Sequence, residues 1–102
     1  MAKSRVSLQE ILEELLGSRN VYFQPPESIK LKYPCIVYER TDIQIDKANN
    51  GNYRISKQYI ATVIDKNPDS EIPDKMLELP FCSFSRHFVT DNLNHDVFII
   101  YF

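Results

Sequence analysis

Apolar positions near the start of the chain recur at helical spacing. Leu8, Ile11, Leu12, Leu15 and Leu16 fall on one face, and Glu10, Glu13 and Glu14 on the other. Ser7-Leu8-Gln9-Glu10 reads as a capping box, with Ser7 as N-cap and Glu10 reaching back to its amide. Val6 and Ile11 are spaced to staple that end, and Gly17 offers the left-handed stop. The spacing predicts an amphipathic helix of about three turns. Val21-Tyr22-Phe23 then reads as a short strand, ended by Pro25-Pro26, which cannot donate ladder hydrogen bonds.

Pro34 introduces a second strand, Cys35 to Arg40, which can run on to Ile45. Asp46 to Lys57 is polar and holds the turn signal Asn49-Asn50-Gly51. From Gln58 to Asp65 the pattern is again that of a strand, with Ile60 and Ile64 on one side and Tyr59, Ala61 and Val63 on the other. These two strands are expected to form a long hairpin with a mobile tip. Pro73 is tolerated only in the first turn of a helix, so a second helix is predicted from about Ser70, with Ile72, Met76 and Leu79 as its stripe and Pro80 as its end. The remainder reads as a hairpin: Cys82 to Thr90, a four-residue turn Asp91-Asn92-Leu93-Asn94, then His95 to Phe102. The order is α-β-β-β-α-β-β, and the expected architecture is a single α+β domain over residues 1–102. Its mainly antiparallel sheet of about five strands would carry two helices on one face.

The strands at Gln58–Asp65 and Val97–Phe102 are apolar on both sides. In the second, Val97, Ile99 and Tyr101 alternate with Phe98, Ile100 and Phe102, and neither face favours water. Such a strand must be central or be covered. Two modest helices cover one face of a five-stranded sheet, so the excess apolar surface predicts self-association.

Composition narrows the function. The chain has 102 residues, 43% of them hydrophobic and 25% charged, which describes one globular domain. Six Phe and six Tyr without Trp supply large buried area for a small core or an interface. The net charge is −2 and the basic residues are scattered among acids, so the concentrated cationic surface that nucleic-acid binding needs is missing. Cys35 and Cys82 have no paired spacing, and without a signal peptide they read as reduced, buried thiols of a cytosolic product. No apolar run approaches a membrane span.

Candidate chemistry fails case by case. Gly17 and Gly51 are the only glycines, too few to wrap a phosphate. With the four-residue turn above, Thr90 opposes His95 and His87 opposes Phe98, which puts His87 and His95 on opposite faces of the hairpin and unable to share a metal. Cys82 and His87, five residues apart on one strand, would also face opposite ways, which argues against a thiol–imidazole pair. Asp42 and Asp46 can share a face, but beside a polar loop they read as a solvated rim. No catalytic, cofactor or metal residues are assigned, and the expectation is a protein that is not an enzyme.

Motifs along nearly the whole chain resemble small tail-completion proteins of tailed bacteriophages and prophages. They are Leu15-Leu16-Gly17-Ser18-Arg19-Asn20-Val21-Tyr22-Phe23-Gln24-Pro25-Pro26, Tyr33-Pro34-Cys35-Ile36-Val37-Tyr38, Tyr59-Ile60-Ala61-Thr62-Val63-Ile64-Asp65 and Asp91-Asn92-Leu93-Asn94-His95-Asp96-Val97-Phe98. The element order is similar to that of phage tail terminators. The resemblance implies a homohexameric ring that caps the tail tube at the head–tail junction of the virion after assembly in the bacterial cytoplasm. Its implied partners are other copies of itself, the major tail tube protein and a head-completion (stopper) protein, with DNA only passing through the lumen and no membrane. The alternatives are another head–tail connector component on the portal side and a non-enzymatic protein-binding module. The candidate assembly residues are Lys47, Asn50, Tyr53 and Arg54 in the polar loop, and Phe98, Ile100, Tyr101 and Phe102 in the last strand.

Overall fold

The computed structural model describes residues 4–47 and 53–102, with the backbone alone for residues 44–47 and 53–56. The order of elements is α1 (Arg5–Leu16), β1 (Val21–Phe23), β2 (Cys35–Lys47), β3 (Tyr53–Asp65), α2 (Ile72–Leu77), β4 (Cys82–Thr90) and β5 (Leu93–Tyr101). They build the expected α+β fold: a five-stranded sheet in the order β1-β2-β3-β5-β4, antiparallel except for the parallel β1–β2 pair.

α1 begins one turn earlier than the Ser7 capping box predicts. The Ser4 carbonyl already accepts from the Leu8 N–H (3.3 Å), and Ser4 Oγ takes the Val6 N–H at 3.1 Å, so Ser4 is the N-cap. Ser7 lies inside the helix, and Val6 is 55% exposed, so no staple with Ile11 closes that end. The other end is as predicted. Gly17 sits at φ 80° and its N–H bonds the Glu13 carbonyl at 2.9 Å. α2 carries Pro73 in its first turn and buries Met76.

Both helices lie on one face of the sheet. There Leu8, Leu12 and Met76 meet Ile36 and Tyr38 of β2, Tyr59, Ala61 and Val63 of β3, and Phe98, Ile100 and Phe102 from the end of the chain. Each fully buried aliphatic side chain contributes roughly 1.5–3 kcal/mol. The β5 residues in this cluster explain the two-sided apolar ending: β5 lies between β3 and β4 and is a central strand. Phe102 continues its pairing by exchanging backbone bonds with Lys57, at 2.9 and 3.0 Å.

The β2–β3 hairpin is longer than expected. Its ladder continues to Lys47↔Tyr53, so most of the predicted Asp46–Lys57 loop is strand, and the predicted turn at Asn49-Asn50-Gly51 lies outside the described residues. The alternating β-branched residues Thr41, Ile43, Ile45 and Ile55 favour that extension. Flanking strands stop short of it: β1 pairs with Ile36–Tyr38, and the pairing of β5, continued by Phe102, ends at Lys57. The distal hairpin therefore projects as an arm. The Cα radius of gyration, 14.7 Å, exceeds the about 13 Å of a compact chain of similar length.

The second hairpin is tighter than expected. Thr90 pairs with Leu93 around Asp91 (φ 53°) and Asn92 (φ 61°). Positive φ at both central residues is the type I′ turn, whose twist suits a two-residue hairpin. The four-residue turn and its register are thus corrected: His87 opposes Asp96, and Phe88 opposes His95.

Candidate assembly interface

A partly buried polar network fastens α1 to the sheet. Arg5 Nη1 donates to the Tyr38 hydroxyl (3.1 Å), which in turn donates to Gln9 Oε1. Gln9 Nε2 donates to the Val21 carbonyl at 3.0 Å, and the Arg5 guanidinium lies over the Phe23 ring, 4.5 Å from its centroid. Burial pushes the Tyr38 phenol up from its ordinary value, and the Arg5 bond and charge only partly offset this. Sequence pattern gives Gln9 only a place in a capping box. Its role depends on a helix–sheet approach that local spacing does not encode.

The opposite face of the sheet has no helix among the described residues. Cys35, Ile64 and Val97 are buried on it by their neighbours, whereas Val37, Ile60 and Ile99 are half-buried. Tyr101 is 40% exposed and Phe88 38%. An open cavity of about 250 Å³ lies at one end, lined by Gln24, Pro25, Val37, Tyr38, Glu39, Ile60 and Thr62. Glu39 is the one carboxylate among its lining residues. Across this face, Arg86 lies over Phe88 (5.3 Å) and Phe88 stacks on His95 (4.6 Å, 11° between planes).

β4 is the exposed edge. Every residue after Cys82 in it is solvent-exposed, including Phe84 (49%) and Val89 (59%). The tight turn makes Thr90 and Leu93 a hydrogen-bonded pair, so the alternate residues Val89 and His87 aim their N–H and C=O away from β5. A bulge lies at Ser85, between Phe84↔Phe98 and Arg86↔Val97.

That bulge also corrects the reading of Cys82 and His87. Their partners Ile100 and Asp96 lie on one face of β5, so Cys82 and His87 share a face. They remain apart by about 13 Å along the ladder. His87 Nδ1 instead lies 2.7 Å from Asp96 Oδ1, on the face opposite His95, whose Nδ1 meets the Leu93 carbonyl at 3.1 Å. Asp42 turns its Oδ1 to the Ile43 N–H, at 2.7 Å. Among the described residues no group of three His, Cys, Asp or Glu side chains could hold a metal, and no helix is long and apolar enough to cross a membrane. Cys35 and Cys82 are free thiols on opposite faces of the sheet.

The candidate assembly residues separate by their place in the fold. Phe98 and Ile100 are fully buried and Phe102 is 7% exposed, all in the domain's own helix-covered core. They have no surface to offer a neighbour, and their assignment to an interface is corrected. Tyr101 alone of the four stands exposed, on the face without helices. Lys47 ends β2 opposite Tyr53, and Arg54 opposes Asp46, so these three sit on the arm, while Asn50 lies outside the described residues. The exposed edge at Phe84, Arg86 and Val89 was missed, although its apolar residues fit no single face of the predicted strand. No protein-family model matches the chain, and no curated protein is significantly similar to it.

Proposed function

We propose that this chain is a structural protein of bacteriophage morphogenesis, a tail terminator that assembles as a ring, caps the tail tube and joins it to the head-completion complex. The observation that carries this reading is a domain left unfinished on three sides. Among the described residues one sheet face lacks helices, a nine-residue edge strand is exposed, and a long arm extends beyond its flanking strands. The α-β-β-β-α-β-β order is compatible with the resemblance set out above. The ring is composed of identical copies, six on the family pattern, with the tail tube protein below and a stopper protein above. The slightly acidic chain, net charge −2, suits a lumen through which DNA passes without adhering.

The test is a phage lacking this gene product together with the purified protein. Overlong or headless tails, and rings in negative stain that bind tail tubes, support the terminator. Normal-length tails on heads that leak DNA transfer the protein to the portal side of the connector. A protein that stays monomeric at high concentration and binds no tail tube defeats the reading.

A further inference from the structure

We propose that the outer edge of β4 in one copy pairs antiparallel with the outer edge of the β2 arm in the next, so that the sheet continues from copy to copy. This rests on the self-assembling reading above and names the surface that would carry it.

The form of the exposed edge fixes what can cover it. Phe84 and Val89 are exposed on the helix-bearing side of β4 and Phe88 on the other, with outward backbone groups between them. A helix laid on the sheet would cover one side and leave that backbone row unpaired. A strand added alongside covers both sides and fills the row.

The chain holds a strand edge of matching chemistry. Beyond Tyr38 the outer side of β2 has no flanking strand among the described residues, apart from the Gln24 side chain, whose Oε1 takes the Arg40 N–H at 3.3 Å. Glu39 opposes Ile60 and Asp42 opposes Gln58, so the bulge at Thr41 brings both carboxylates to the face without helices. Arg86, opposite Val97, lies on that same face of β4. In a continued sheet the basic residue of one edge therefore meets the acidic residues of the other on a common face. Pairing β4 with itself about Arg86 would set like charges together.

Direction agrees as well. β2 and β4 run antiparallel within one copy, because three antiparallel steps separate them. Rotation about an axis along the strands preserves that relation and is the operation that closes a head-to-tail ring.

The experiment is sedimentation velocity on the full chain with charge exchanged between the edges. Arg86→Glu alone, and Glu39→Lys with Asp42→Lys alone, should each weaken association roughly tenfold or more. An equimolar mixture of the two should restore it, since every edge then finds an opposite charge. Glu39→Lys by itself keeps the Asp42–Ile43 bond and guards against a folding artefact, with melting curves as the control. Variants that assemble like the wild type, or a mixture no better than its parts, overturn this interface while leaving wild-type self-assembly standing. A wild type that never associates overturns both.

Discussion

β4 and β5 are nine-residue strands of one hairpin, yet one is exposed along nearly its whole length and the other supplies core residues. Local sequence alone does not separate them: Phe84 and Phe98 are directly opposed, with ring centroids 5.6 Å apart, but are 49% and 0% exposed. The difference is in their neighbours. β5 has strands on both sides and helices over its Phe98–Ile100 face, whereas among the described residues β4 has a strand on one side only. Aromatic content marks what is to be buried, and topology decides whether the domain does it unaided or leaves it for a partner.

The sharpest way to break that comparison is to truncate each aromatic in turn. Phe98→Ala leaves a cavity between helices and sheet and should cost about 3–5 kcal/mol, a large share of a small domain's stability. Phe84→Ala loses chiefly an edge-to-face contact, about 0.5–1.5 kcal/mol. Urea titrations of both variants at low protein concentration measure the ratio. Equal costs would show that β4 is as much a part of the core as β5.

The next effect tests how the covered face is fastened. Tyr38→Phe removes the hydroxyl that accepts from Arg5 and donates to Gln9. It should cost about 1–2 kcal/mol, a fall in melting temperature of several degrees. A melt unchanged within error would mean that apolar packing alone holds α1. At about 1 kcal/mol comes Gly17→Ala: a Cβ there meets nothing within 4 Å, so the loss comes from φ 80° rather than from a clash. Restoration of stability by Gly17→Asn relative to Ala would support that cause, since Asn tolerates the left-handed region better.

The fold was legible wherever a signal was local and repeated. The Leu8–Leu16 stripe, Pro73 in the first turn of α2 and the two-sided β5 pattern each led to the observed element. Misreadings arose where one residue changes a register. Asp and Asn tolerate positive φ, so Asp91-Asn92 closes a turn in two residues where composition suggested four. The bulges at Thr41 and Ser85 each reverse the parity on which face assignments depend, and no composition marks them. The candidate interface was legible only in part, because the edge status of β4 depends on β5 inserting beside β3.

The two cysteines carry the same comparison into the smallest effect. Cys35 is fully buried on the face without helices, and Cys82 is partly accessible at the start of β4. Burial pushes the thiol of each up to about 11, with the charge of Asp65 adding to the rise for Cys35. A folded value raised above the ordinary 9.0 contributes stability that is complete below pH 9 and is lost as pH rises towards 11. Both thiols should therefore resist alkylation near pH 8, where thiolate is scarce, with Cys82 reacting first because that residue is the less buried of the two. Mass spectrometry of iodoacetamide adducts over time, from pH 8 to pH 11, reads both the order and the rise in rate. Labelling of Cys35 before Cys82 in the folded chain would show that the bare sheet face opens more readily than the edge, and would reverse the comparison between them.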